Sequence, residues 1–187
     1  ELAVRIVDDH GRAVPAGEIG ELVYRPHEPS AMMQGYWRKP AETVEAWRDL
    51  WFHTGDLFRW HPDGMLEFIG RKKDSIRRRG ENVSAWEVEA AVTAHASVLE
   101  AAAIGVSSDV GEEDVAVLVV AKAGATIDPR ELIEFVARDL PRFAVPRYVE
   151  IVESLPKTPS ERIEKRKLRD RGITSSAWDS NTALGRR

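Results

Sequence analysis

Four segments of this chain gather carboxylate, guanidinium, ammonium and glycine in patterns that could do chemistry. They are GYWRKPAET (Gly35 to Thr43), WFHTGDL (Trp51 to Leu57), GRKKDSIRRRGENVSAWEVE (Gly70 to Glu89) and LPKTPSERIEKRKLR (Leu155 to Arg169). Asp56 in TGD is an acceptor-only group once ionised, suited to hydroxyl or amide donors. Arg71 can bind a carboxylate or phosphate, and Gly80 can take the positive φ that other residues avoid. Six of the nine residues from Arg71 to Arg79 are basic, and a second basic stretch runs from Lys157 to Arg171, although the net charge is -4. Such runs suit phosphate groups or nucleic acid, or simply form a solvated face. Taken singly, each segment also has a plain structural role: a turn cap for Asp56, a hairpin turn for Gly80, a surface ion pair for Arg71.

Composition narrows the chemistry. With 187 residues, 43% hydrophobic and 31% charged, the chain has the make-up of a soluble globular protein of one or two small domains. Zero cysteines remove disulfides, thiolate catalysis and cysteine zinc sites, and five scattered histidines without close pairing point away from a metal site. No apolar run is long enough for a membrane span, and ELAVRIVDDHGR lacks the layout of a secretory signal. A cytoplasmic protein is the expectation.

The elements that must position these residues can be read from periodicity. LAVRIV (2–7) and ELVYR (21–25) read as strands, and Thr43, Ala46, Trp47 and Leu50 recur at helical spacing, giving a helix from about Ala41 to Arg48. DLFRW and MLEFIG flank HPDG, whose proline and glycine suit a type I turn, so they form a hairpin. After Gly70 the character changes. Ser84 with Glu87 makes a capping box, and Val88, Ala91 and Val92 give the helix that follows an apolar face. EAAAIGV and DVAVLVVAK read as strands around the acidic loop SSDVGEED. Asp128 caps a second helix, with Pro129 at its first position, that buries Leu132, Ile133, Val136 and Leu140. RYVEIV is another strand.

The order helix, strand, strand, helix, strand describes an α+β layer domain. The expected organisation is a β-rich piece over 1–72, a junction at 73, an α+β domain over 74–170, and a tail over 171–187 that frays, because ITSSAWDSNTALGRR has no period.

Together, and in this order, the four motifs resemble the C-terminal part of the adenylate-forming acyl-CoA synthetases, the superfamily that also holds luciferases and peptide-synthetase adenylation domains. The likeness runs from Gly17 to Arg169. The wording GEN resembles acid:CoA ligases more than peptide-synthetase domains, and ERIEK is similar to the carnitine or crotonobetaine CoA ligase group. The resemblance implies the fold, a β-rich subdomain of a large domain followed by a small mobile α+β domain. It also implies the reaction: a carboxylate attacks the α-phosphate of ATP, supplied with Mg2+, to give acyl-adenylate and pyrophosphate, and the thiol of CoA then displaces AMP. Asp56 would hold the ribose hydroxyls, and Arg71 the ribose or the phosphate side. Lys73 matches the hinge about which the small domain rotates. Gly80, with Glu81 and Asn82, matches the loop that enters the site for thioester formation, where the missing Cβ lets the pantetheine arm pass.

At one motif the chain departs from the family. Where the usual form has Gly-Lys, this chain has Glu161-Arg162, so Arg162 occupies the place of the lysine that bridges carboxylate and α-phosphate; it keeps the charge but changes its shape. Lys157 and Lys165 are the neighbouring cations that could take that role instead. The family's glycine-rich phosphate loop, acyl pocket and adenine-stacking aromatic have no counterpart in the sequence, so the expected partner is a preceding large domain of the same chain, without which the reaction does not run. Two rivals come from other classes. A nucleic-acid module is motivated by the basic runs but lacks interleaved aromatics, and an interaction domain would use Trp37, Trp51 and Trp60 as an exposed apolar face.

Overall fold

The computed structural model describes residues 1–108 and 111–183. It divides into two compact units, Glu1–Lys73 and a second beginning at Asp74. Among the described residues no helix is long and apolar enough to cross a membrane.

The first unit is a four-stranded antiparallel meander of β1 (Leu2–Val7), β2 (Ile19–Pro26), β3 (Phe52–Trp60) and β4 (Leu66–Arg71), in that spatial order. Ile6 and Val7 at the end of β1, which point to opposite faces of the sheet, Val23 of β2 and Ile69 of β4 are its buried apolar side chains. HPDG closes the β3–β4 hairpin as its residue types dictate, with Gly64 N donating to His61 O at 2.9 Å. The helical reading between β2 and β3 holds in part. Helix α1 spans Pro40–Ala46 but buries no residue, and the chain then leaves helical geometry, with Asp49 at φ 56° and Leu50 at φ 62°. Leu50 is 80% exposed, so only Trp47 of the expected apolar stripe makes aromatic contact, its ring 5.4 Å from that of Phe52. Of the three tryptophans proposed as an exposed face, Trp37 is 86% exposed, but Trp51 and Trp60 are half-buried, and Trp51 carries the guanidiniums of Arg5 and Arg25 at 4.5 and 4.8 Å.

The second unit opens with a hairpin of β5 (Ser75–Arg78) and β6 (Glu81–Ser84). Its main sheet has the order β10-β9-β8-β7, from β7 (Val98–Ser107), β8 (Glu113–Ala121), β9 (Tyr148–Ile151) and β10 (Trp178–Asp179). Strands β7 and β8 pair antiparallel, but β8 and β9 pair parallel, which requires the crossover supplied by α3 (Pro129–Val136). Odd-numbered side chains Ala101, Ala103, Val115, Val117, Val119 and Val149 form one buried cluster with Val88 and Val92 of α2 (Ala85–Thr93) and Leu132, Ile133 and Val136 of α3. Even-numbered Ala102, Ile104, Ala116, Leu118 and Val120 form a second, with Leu155 and with Leu168 of α4 (Lys165–Arg171). Strand β8 is covered on both faces, hence its unbroken apolar run. Each large side chain so buried contributes about 1.5–3 kcal/mol.

The caps are those that the sequence dictates. Ser84 accepts from Glu87 N, and Asp128 accepts from Arg130 N at 2.8 Å with Pro129 at the first helical position. The fraying expected over 171–187 is corrected for the described part of that tail: Trp178 packs on the first cluster, Asp179 receives the Arg147 guanidinium at 3.3 and 3.1 Å, and β10 leads into a short helix, α5 (Ser180–Ala183). Residues 184–187 lie outside the described residues.

Candidate functional site

In the first unit, β3 and β4 bring Asp56 opposite Arg71 in register, and Arg71 Nε lies 3.3 Å from Asp56 Oδ1. The β3–β4 register shifts between Leu57 and Phe58, directly after the aspartate, a bulge of the kind that re-aims a side chain. Thr54 fixes the approach to Asp56: its hydroxyl donates to Leu22 O at 2.8 Å and accepts from Asp56 N at 3.1 Å. Both members of the pair keep solvent access, the Asp56 side chain at 29% and Arg71 at 49%. An oriented, accessible carboxylate with a guanidinium beside it can accept from a diol and hold an anion at once.

Beneath this pair lies a residue that the sequence reading passed over. Glu21 is 3% exposed, and its carboxylate accepts from Gly55 N at 3.1 Å, Arg48 Nη2 at 3.0 Å and Lys72 Nζ at 3.1 Å. His53 Nδ1 stands 3.2 Å away without hydrogen-bond alignment. Burial pushes the Glu21 carboxyl up, but the facing His53 and Lys72, with Gly55 N, outweigh it and hold the group below its ordinary value. Glu21 thus ties the TGD turn to the residue before Lys73. The signal was present in the alternation of β2, which places Glu21 on the face of Val23.

Lys73 lies in the single turn of 3-10 helix Lys72–Asp74, at the last position of the first unit. Lys72 also reaches Asp9 at 2.9 Å, and Asp74 accepts from Arg169 of α4 at 2.6 Å.

Gly80 sits at the tip of the β5–β6 hairpin. Arg78 pairs with Glu81, leaving a two-residue loop in which Arg79 and Gly80 have φ of 53° and 79°. Positive φ at both positions is the geometry whose twist matches the flanking strands, and glycine adopts it without strain. A Cβ built on Gly80 meets nothing within 4 Å, so the tip is open. Asn82 accepts from Arg77 Nη1 at 2.9 Å, and Glu81 and Asn82 are exposed. The acidic loop holds the tip from the side: Glu112 accepts from Arg79 N and from Gly80 N, the latter at 3.1 Å, and Glu113 accepts from Arg77 N at 3.0 Å.

Arg162 lies on a separate turn of the second unit. Thr158 N donates to Arg162 O at 2.8 Å, Arg162 N donates to Thr158 Oγ1 at 3.2 Å, and Lys157 bridges Ile163, which folds residues 158–162 into an exposed loop. Seven cations occupy the stretch from Lys157 to Arg171. Six have carboxylate partners: Lys157 with Glu100, Lys165 with Glu89, Arg166 with Asp170, Lys167 with Glu164, Arg169 with Asp74 and Arg171 with Glu150. Arg162 has none among the described residues. Lys165 is the most committed, 15% exposed and 2.7 Å from a Glu89 carboxylate that also accepts from Ala103 N; burial holds that carboxyl above its ordinary value. Among the described residues no hydrogen bond or ion pair joins the Arg162 turn to the Gly80 tip.

Residues 87–162 match the family model of the AMP-binding enzyme C-terminal domain. This chain therefore carries an AMP-binding enzyme C-terminal domain. It is 41% identical over 95% of its length to a long-chain-fatty-acid–CoA ligase of Yersinia pestis, and 33% identical over 88% to a crotonobetaine/carnitine–CoA ligase of Escherichia coli. The solved amide bond synthetase McbA of Marinactinospora thermotolerans superposes with a TM-score of 0.81 at 36% identity over 92% of the chain. The chain spans 31%, 32% and 35% of these three proteins, so it matches about a third of each. In the adenylate-forming ligases the second unit corresponds to the C-terminal domain.

Proposed function

We propose that the chain supplies the ribose-holding pair, the hinge and the mobile C-terminal domain of an ATP-dependent acid:CoA ligase, completed by a large domain outside this sequence. In this reading Asp56 accepts the ribose hydroxyls of MgATP while Arg71 orients that carboxylate and faces the phosphate side. Glu21 holds the turn in place from below. Arg162 sits between the substrate carboxylate and the α-phosphate, offsetting the repulsion of two approaching anions. Lys73 is the pivot between the half-reactions, and the Gly80 tip, with Glu81 and Asn82, borders the path of the CoA thiol arm.

The observation that carries the reading is the state of Arg162. It is the one cation of the fourth motif without a carboxylate partner among the described residues, and it stands on an exposed turn at the position where a ligase of this kind places its bridging charge. Lys157 and Lys165, the alternatives, are tied to Glu100 and Glu89. The test is a full-length ligase carrying Arg162→Ala. Pyrophosphate release from ATP and acid is expected to fall by about a hundredfold, the cost of one electrostatic stabiliser, while thioester formation from supplied acyl-adenylate stays near the parent rate. Equal rates in both half-reactions would remove Arg162 from the site.

A further inference from the structure

Little in the local sequence fixes where Arg162 stands. Its turn is closed by Thr158 N donating to Arg162 O at 2.8 Å, Glu161 N to Thr158 O at 3.0 Å and Arg162 N to Thr158 Oγ1 at 3.2 Å, and both Glu161 and Arg162 are exposed. Helix α4 begins three residues beyond Arg162 and has seven residues, and Glu164 at its N-cap makes no side-chain capping bond. A helix so short is marginal by itself. Its first three residues, Lys165, Arg166 and Lys167, are all cations, which the positive end of a helix dipole disfavours.

Two ion pairs supply what the turn and the helix lack. Before Arg162, Lys157, whose backbone bridges Ile163, reaches Glu100 of β7 at 2.6 Å. After it, Lys165 at the first position of α4 reaches Glu89 of α2 at 2.7 Å, with the two side chains only 15% and 18% exposed. Glu89 also accepts from Ala103 N of β7 at 2.8 Å, so both ties end on the strand whose side chains line both buried clusters. One helical turn past Lys165, on the same face of α4, Arg169 takes Asp74 at 2.6 Å, and Leu168 is buried in the second cluster. Lys165 thus has a partner that explains a cation at a helix start. Glu89 in turn has the cation without which a buried carboxylate would stand uncompensated.

We infer that Glu89 and Lys165 are positioning residues for Arg162, with Glu100 and Lys157 as the second tie. They fix the turn that carries the guanidinium and touch no reacting group themselves. A charge that must meet two anions at once works only when its support is locked by packing and further hydrogen bonds. The two lysines that spacing offers as substitutes for the bridging cation are the groups that hold it. The reaction for which Arg162 is positioned rests on the ligase reading above; the ordering of the turn does not.

The experiment joins amide hydrogen exchange to a double-mutant cycle. In the 187-residue chain, Glu89→Gln is expected to speed exchange at the amides of Thr158 and Glu164, which close the turn, by about tenfold. Arg166→Gln, which breaks the exposed Arg166–Asp170 pair of the same helix, is expected to leave them unchanged. In a full-length ligase, Glu89→Gln should lower pyrophosphate release about tenfold or more, as misplacement of a reacting group does, while thioester formation from supplied acyl-adenylate stays near the parent rate. Placed on Arg162→Ala, the same substitution should cost nothing further, because the group it positions is gone. Lys165→Arg should retain more pyrophosphate release than Lys165→Met. Should Glu89→Gln fail to fold, Glu100→Gln at the more exposed tie gives the same cycle. Unaltered exchange, equal loss in both half-reactions, or a Glu89→Gln effect undiminished on Arg162→Ala overturns the proposal. If Arg162→Ala itself matches the parent, the bridging role fails and the positioning role falls with it, whereas the exchange result still decides whether the ties order the turn.

Discussion

Lys72 donates a 3.1 Å hydrogen bond to the buried carboxylate of Glu21, two residues before Asp74 accepts one of 2.6 Å from Arg169. Each unit thus grips one side of Lys73 by a charged pair of its own. Backbone rotation concentrated at Lys73 would leave both pairs intact, which is what a pivot needs. Limited proteolysis is expected to cut first around residues 72–74 and to leave a stable fragment beginning near Asp74, since α2 and α3 carry their own caps and the two buried clusters lie within that unit. Simultaneous loss of both halves would count against a hinge here.

Replacing Lys72 by alanine tests the grip on the first side. It leaves Glu21 buried with one cation fewer. Breaking a buried pair costs about 3–5 kcal/mol, but Lys72 is 37% exposed and Arg48 remains, so a loss of about 1–2 kcal/mol is expected. Only the unfolding transition of the first unit should move in calorimetry.

Acid should act on the same unit. Glu21 has its folded pKa held below the ordinary value of about 4.3. The stability this gives is therefore complete above about pH 4.3 and is lost as pH falls through the lower, folded value. Glu21→Gln should abolish that part of the acid response and lower stability at neutral pH. An unchanged acid profile in Glu21→Gln would place the response elsewhere.

Much of the second unit was legible because each local signal agrees with the packing. Asp128-Pro129 announces α3, and the run DVAVLVVAK announces a strand covered on both faces. What was not legible depends on distant partners. The parallel pairing of β8 with β9 follows from where α3 crosses, and nothing in RYVEIV specifies it. The tail reads as frayed because its anchors are two isolated residues, Trp178 on the core and Asp179 on Arg147, which produce no period. The Asp56–Arg71 pairing follows from the hairpin around HPDG, whereas Glu21 was missed because a charged residue at a strand's start reads as exposed until the strand has a buried face. The commitment of Lys157 and Lys165 to Glu100 and Glu89 lay equally beyond spacing.

Glu161 stands at φ +60°, in the place where the resemblance calls for glycine. The left-handed region costs a residue with a Cβ about 1–2 kcal/mol, so the family's glycine has a backbone reason and this chain bears strain at the turn that presents Arg162. Lys157 Nζ, 3.6 Å from the Glu161 carboxylate, offsets little of it, because that carboxylate is 82% exposed. Glu161→Gly removes the strain but loosens the unfolded chain. A net gain of up to about 1 kcal/mol is expected from chemical denaturation. A loss would mean that the Lys157 contact matters more than the backbone.

Gly80 allows the backbone and the space at the hairpin tip to be separated. Its φ of +79° penalises any residue with a Cβ, whereas the open surroundings penalise none by contact. Gly80→Ala and Gly80→Leu therefore share the conformational cost, of about 1 kcal/mol, and differ in bulk alone. In a full-length ligase, if Gly80 borders the thiol path, the leucine variant should keep pyrophosphate release near that of the alanine variant and lose thioester formation by at least tenfold relative to it. Glu112→Gln adds a third point, because the tip's amides then face a neutral acceptor in place of a carboxylate. It weakens the grip on the tip without adding bulk, so it should shift the thioester step less than leucine does. If alanine and leucine reduce both half-reactions alike, the tip acts through backbone geometry and the thiol arm passes elsewhere.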